Sequence, residues 1–154
     1  MPRIPAHRRR RKPPFFHPVP VRLRSDGWNE LRQCAFLAEL YLTGSASEAA
    51  RRVGMSRASA YRLRGREDAA DFAHAWDAVL TPPGSGRLAR PKRDWRKVTT
   101  RALIERLEAG LVQPVLYQGR MTAIRRKPDK TSLFRLLRRA DAGWATLDRR
   151  EAGR

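Results

Sequence analysis

Acid, cysteine and histidine are all scarce in this chain. Its 154 residues carry 15 Asp and Glu against 34 Lys and Arg, a formal net charge of +19. A surplus of that size implies a polyanionic partner, because binding releases the partner's condensed counterions and so gains free energy. One cysteine, Cys34, excludes a disulfide within the chain and a zinc site built on cysteine pairs. A cytoplasmic setting is the expectation. Of the three histidines, His7 and His17 lie among prolines and His74 stands alone in an apolar stretch, so none has metal or triad spacing. No run approaches the ~18 consecutive apolar residues of a membrane-spanning helix. P-loop and dinucleotide fingerprints are missing. Asp68 with Asp71, and Glu105 with Glu108, have the spacing of ordinary helix-surface charges. Ser56 and Ser59 have no base near them in the sequence. The expectation is therefore a non-enzyme with no catalytic residues, no metal and no cofactor.

What is present sorts into segments. Residues 1–24 hold eight basic residues, six prolines and no acid, a composition that predicts a disordered basic arm. The prolines would also break the amphipathic helix of a transit peptide, so no targeting signal is expected. Residues 25–80 change to a helical period. Trp28, Leu31, Ala35, Ala38 and Leu42 form one stripe, capped by Ser25 or Asp26 and ended by Gly44. Phe36, Leu37, Leu40 and Tyr41 add a second face, which predicts a first helix either deeply buried or shared with another subunit. Two short helices divided at Gly54 follow, and a fourth spans about Asp68 to Leu80 with Ala69, Phe72, Ala73, Trp76 and Leu80 on one side.

Residues 81–94 hold Pro82, Pro83, Gly84, Gly86 and Pro91 and read as a linker. Residues 95–147 predict a small α+β unit. In it a helix to Glu108 turns Leu103, Leu107 and Leu111 inward, and a hairpin turns near Gly119. A last helix, capped by Asp129 or Thr131, carries Leu133, Phe134, Leu136, Leu137 and Ala140. Arg135, Arg138 and Arg139 lie opposite that stripe, as a solvated face does. Residues 148–154 read as a frayed tail. The fold class expected is thus mainly α: a disordered basic arm, a four-helix helix-turn-helix domain, and a C-terminal helix–hairpin–helix unit.

The informative stretch runs from Ser45 to Gly65. Ser47 can cap its first helix, Ala49 and Ala50 are small where two helices cross, and Gly54 suits the positive φ of a tight turn. Val53 and Met55 flank that turn, Ser56 can cap the second helix, and Ala60 and Leu63 point back to the core. The outward positions are then Ser56, Arg57, Ala58, Ser59, Tyr61 and Arg62. Such a helix presents these to the major groove, where Arg57 and Arg62 can each pair with guanine. Ser59 reaches a base or phosphate, and Tyr61 stacks or bonds a phosphate. Residues 25–80 contain 7 basic and 8 acidic residues, a net of −1, yet Arg51, Arg52, Arg57, Arg62, Arg64 and Arg66 fall in a stretch with no acid. Base contacts are expected from Arg57, Ser59, Tyr61 and Arg62, and backbone contacts from Ser56, Arg51, Arg52, Arg64 and Arg66. Further backbone contacts are expected from the arm, through Arg8, Arg9, Arg10, Arg11 and Lys12, and from the hairpin, through Arg120, Arg125 and Arg126.

Between Leu37 and Arg66, the runs Thr43-Gly44-Ser45, Ala49-Ala50, Val53-Gly54-Met55-Ser56 and Tyr61-Arg62-Leu63 resemble the helix-turn-helix of resolvase-type and phage small-terminase-type DNA-binding proteins. The resemblance covers about a fifth of the chain. It implies double-stranded DNA binding, by a transcriptional regulator or by a packaging adaptor that engages a motor subunit; in the second case residues 95–144 would supply oligomerisation and motor contact. An RNA-binding role through arm and hairpin is the third alternative, though no ribonucleoprotein aromatic motif accompanies it. The Ala- and Arg-rich composition points to a GC-rich bacterium or its phage. A nucleoid-associated homo-oligomer, a dimer joined through the first helix in preference, is the expected state.

Overall fold

A computed structural model of the chain describes residues 9–22, 24–90 and 92–153. The chain is mainly helical with one small two-stranded antiparallel hairpin. In order, the elements are α1 (Glu30–Thr43), α2 (Ala46–Arg52), α3 (Arg57–Arg64), a 3-10 turn at Glu67–Ala69, α4 (Ala70–Leu80), α5 (Thr100–Ala109), β1 (Leu111–Tyr117), β2 (Arg120–Lys127) and α6 (Lys130–Ala152). Two compact units emerge. The first comprises the described part of Met1–Lys92 together with Leu111–Arg126, and the second Arg93–Gly110 with the described part of Lys127–Arg154. The hairpin therefore belongs with the helices of the first unit, not with α5 and α6, which flank it in sequence. Among the described residues no helix is long and apolar enough to cross a membrane.

In the first unit α1 is the central element, packed by α2, α4 and β1. Asn29, not Ser25 or Asp26, caps it by accepting from Arg32 N–H, so Trp28 stands just outside the helix. Gly44 closes it at φ 71°. The buried face is Gln33, Cys34, Phe36, Leu37, Ala38, Leu40 and Tyr41, which takes in the whole second sequence stripe; of the first stripe Trp28 and Ala38 are buried as well, while Leu31 is 57% exposed. That second face is covered by the chain's own residues. Burial pushes the Cys34 thiol up to about 12, so it is an inert core residue.

The expected disordered arm is corrected over the described residues 9–22. Phe16 and Val19 are buried in the core. Phe16 exchanges two backbone hydrogen bonds with Val112 of β1, at 3.0 and 2.9 Å, and the Gln113 side chain donates to Pro13 C=O at 2.8 Å. Proline-rich chain suits such an edge, since it needs few ladder donors. Gln33, fully buried in α1, fastens the segment: its carboxamide accepts from Val19 N–H at 2.7 Å and donates to Val19 C=O at 3.0 Å and Trp28 C=O at 2.9 Å. An apolar residue there would strand three buried backbone groups. Phe16 also meets Phe72, which joins Phe36 and Trp76 in a run of ring contacts with centroids 4.7 to 6.1 Å apart.

The hairpin turns at Gln118 (φ 50°) and Gly119 (φ 81°). Two successive positive-φ residues match the right-handed twist of the strands, so the two-residue loop closes without splaying them. Met121 and Ile124 then pack on the core of the first unit.

In the second unit Thr99 caps α5 and Asp129 caps α6, accepting from Ser132 N–H at 3.1 Å. Trp95 precedes α5, and Leu111 belongs to β1, so of the three expected inward leucines only Leu103 is fully buried. The expected frayed tail is instead the last turn of α6, which continues to Ala152.

Two substitutions test the ordered N-terminal segment. Phe16→Ala should cost about 3–5 kcal/mol of unfolding free energy, as for a large core truncation. Gln33→Leu, close in size, should cost at least about 2 kcal/mol through unsatisfied backbone groups. Urea unfolding measures both, and losses under about 0.5 kcal/mol, the range of neutral surface changes, would show the segment is not part of the core.

Candidate nucleic-acid interface

The pair α2–α3 is built by short-range constraints. Ser45, two residues before the expected Ser47, caps α2 by accepting from Glu48 N–H at 3.3 Å, and Ser47 lies inside the helix. Ala49 and Ala50 are fully buried, which lets α2 lie close to its neighbours. The chain leaves α2 through Val53 and Gly54, the latter at φ 76°, and Met55 N–H bonds back to Ala50 C=O at 2.9 Å. A Cβ at Gly54 would meet nothing within 4 Å, so glycine is needed there for its backbone conformation alone. Ser56 caps α3, accepting from Ser59 N–H at 3.1 Å, while Ala60 and Leu63 are buried.

Around α3 the outward set separates by what each side chain already holds. Ser59 Oγ donates to Ser56 C=O at 2.9 Å and accepts from the Trp28 indole N–H at 3.1 Å. Its hydroxyl thus positions α3 against Trp28, which precedes the cap of α1, and a base contact would break that link. Tyr61 is 43% exposed and lays one side of its ring against Trp76, with centroids 5.1 Å apart. The Arg57 guanidinium sits 4.8 Å from the Tyr61 ring centroid, held over it by cation–π attraction. Arg62 is exposed.

The other four arginines of the stretch are engaged. Arg51 and Arg52 both bind the Glu48 carboxylate, and Arg52 also reaches Glu39 at 3.1 Å. These pairings hold Glu48 below its ordinary range, chiefly through hydrogen bonds from Arg51 and Arg52. Arg64 pairs with Asp77 at 2.8 Å and lies over the Trp76 ring, and Arg66 binds Asp68 through two hydrogen bonds of 2.9 and 2.7 Å. The stretch is free of acid along the chain but not in space. Among the described residues, Arg57 and Arg62 are the two arginines between Arg51 and Arg66 that make no ion pair.

The flanks divide in the same way. Arg8 lies outside the described residues. Arg10 donates to Tyr41 C=O at 2.7 Å and Leu42 C=O at 3.0 Å, satisfying carbonyls in the last turn of α1. Arg11 donates to Pro82 and Gly86 carbonyls. These two are structural ties rather than members of a loose arm, whereas Arg9 and Lys12 are exposed. On the hairpin Arg126 pairs with Glu30 at 2.5 Å, while Arg120 and Arg125 remain exposed. Lys12 also lines an open cleft of about 560 Å³ with His74, Arg87 and Arg90, a basic patch not singled out from the sequence. Burial, with Arg90 nearby, holds His74 below its ordinary range.

Gly54→Ala should destabilise the fold by about 1–2 kcal/mol, the cost of a left-handed backbone for an L-residue, and Gly54→Asn by clearly less, since Asn tolerates that region. Chemical denaturation of both variants distinguishes this from a steric role, for which Asn would be the worse. Comparison with protein-family models, with curated proteins and with solved structures gives no match to this chain.

Proposed function

We propose that the chain is a sequence-specific double-stranded DNA-binding protein of regulatory type, and that α3 enters the major groove. The observation that supports this best is the selective freedom of Arg57 and Arg62. In a stretch where Arg51, Arg52, Arg64 and Arg66 are each matched by a carboxylate, these two stand on the exposed side of a capped, two-turn helix with their donors uncommitted to acids. A guanidinium so placed offers the planar pair of N–H groups that matches guanine O6 and N7. The turn geometry at Gly54 and the crossing at Ala49 and Ala50 suit a helix-turn-helix.

Roles then follow from contacts. Arg57 and Arg62 read bases, Tyr61 steadies Arg57, and Ser59 fixes the helix instead of touching DNA. Exposed Arg9, Lys12, Arg120 and Arg125 supply phosphate contacts, which raise affinity without selecting sequence. Arg51, Arg52, Arg64 and Arg66 shape the scaffold.

Affinity for a duplex carrying a site selected from random DNA, compared with affinity for unselected duplex, tests the division. Arg57→Ala and Arg62→Ala should each weaken the selected site by about 1–3 kcal/mol more than random DNA. Arg120→Ala should weaken both equally and reduce the salt dependence by roughly one counterion. Equal losses on both duplexes for Arg57→Ala and Arg62→Ala would reject base reading, and tighter binding of double-stranded RNA than of DNA would reject the DNA assignment.

A further inference from the structure

Helix α6 presents its faces in the reverse of the usual sense. Two of its arginines are turned inward: the Arg135 guanidinium lies 4.1 Å from the Trp95 ring centroid, and Arg139 donates to the carbonyls of Trp95 at 3.1 Å and Val98 at 2.6 Å, while Arg138 stays exposed. These contacts, with the bond from Arg139 to Thr100 Oγ1 at 3.1 Å, hold α6 to the start of α5 and the residues before it. The apolar side faces out. Leu133 is 36% exposed, Phe134 59%, Leu137 51%, Trp144 69% and Leu147 51%.

The outward residues have a register. Leu133, Leu137, Ala140, Trp144 and Leu147 are separated by four, three, four and three residues, the alternation of a coiled-coil seam. At 1.5 Å per residue the seam is roughly 21 Å long. A unit of two helices with one fully buried large apolar side chain, Leu103, has little core of its own to stabilise it. An exposed, regularly spaced apolar seam in such a unit marks an association surface.

We infer that the occupant of this seam is α6 of a second copy of the chain, running antiparallel. Two properties of the sequence point to self-pairing in that direction. First, charge along α6 is polarised: residues 130–139 hold Lys130, Arg135, Arg138 and Arg139 with no acid, while residues 141–151 hold Asp141, Asp148 and Glu151 with Arg149 and Arg150. Antiparallel pairing brings Lys130 and Arg138, the exposed cations of that half, toward the acid-bearing half of the other copy, whereas parallel pairing superposes them on their own kind. Second, the seam matches itself about its centre. Leu133 meets Leu147 of the second copy, Leu137 meets Trp144, and Ala140 meets Ala140, so bulky residues lie at both ends and the small pair lies where the helices approach most closely. The expected junction at α1 is replaced by this one, because the α1 apolar face is already covered within the chain.

The test uses the full chain without DNA, at high salt and tens of micromolar, by light scattering. The expected mass is twice the 17.7 kDa of the chain, and Leu137→Glu combined with Trp144→Glu should reduce it to one chain mass. Cysteine cross-linking under mild oxidation supplies a measurement that does not depend on that variant folding, since Cys34 is fully buried and silent. Ala140→Cys should form a covalent dimer. Leu133→Cys alone should not, but should when mixed with Leu147→Cys. A wild-type monomer, a ring of many subunits, a dimer untouched by the glutamates, or self-cross-linking of Leu133→Cys would each overturn the proposal. None of these outcomes bears on whether α3 binds DNA.

Discussion

The first unit depends on one buried amide. Gln33 sits fully inside α1 and closes three hydrogen bonds to the backbone of Val19 and Trp28. A carboxamide is the right group for this: it offers an acceptor and two donors in a plane, and so matches both backbone groups of Val19 at once. Left unpaired in a core, those groups would oppose folding more strongly than the bonds themselves favour it. Through Trp28 the constraint reaches α3. The backbone of Trp28 is held by Gln33, and its indole N–H donates to Ser59, whose hydroxyl returns to Ser56 at the start of α3. The N-terminal end of the proposed reading helix is therefore located by a relay that begins in the first turn of α1.

A second relay is aromatic. From Phe16 the rings run through Phe72 and Phe36 to Trp76 and then Tyr61, over which Arg57 rests. Reading a base with a long, flexible side chain is entropically costly, and an arginine already leaning on a ring loses less freedom when it binds. The ion pairs around α3 act in a complementary way. By neutralising Arg51, Arg52, Arg64 and Arg66 they leave positive potential concentrated at Arg57 and Arg62 instead of spread over the domain. Such a layout favours discrimination over bulk attraction, which the exposed basic residues outside α3 can supply.

Much of this was legible in the sequence, and the failures have physical causes. Period and glycine punctuation located the helices and the hairpin turn, because positive-φ glycines and apolar spacing act locally. The caps of α1 and α2 fell at Asn29 and Ser45, and not at the expected Ser25 or Asp26 and Ser47, since several neighbouring residues can each cap. The order of the segment around Phe16 was hidden, since composition counts prolines and charges but not the two apolar side chains, Phe16 and Val19, that enter a distant core. Gln33 gave no signal, because a glutamine in a helix is ordinarily a surface residue. Ion pairs were missed for a related reason: Arg64 with Asp77 and Arg52 with Glu39 join residues thirteen apart, which sequence inspection treats as separate. The inversion of α6 was also invisible, because an amphipathic pattern does not say which face the chain itself will cover; Trp95 and two backbone carbonyls took the arginines.

The central claim is that duplex DNA is met by α3, with the basic flanks assisting. Chemical-shift mapping of the isotopically labelled protein titrated with duplex DNA at physiological ionic strength tests it most directly. The account predicts the largest changes over Ser56 to Arg62, with smaller ones at Arg120 and Arg125. Changes confined to the basic flanks, with the amides of α3 unmoved at saturation, would contradict it.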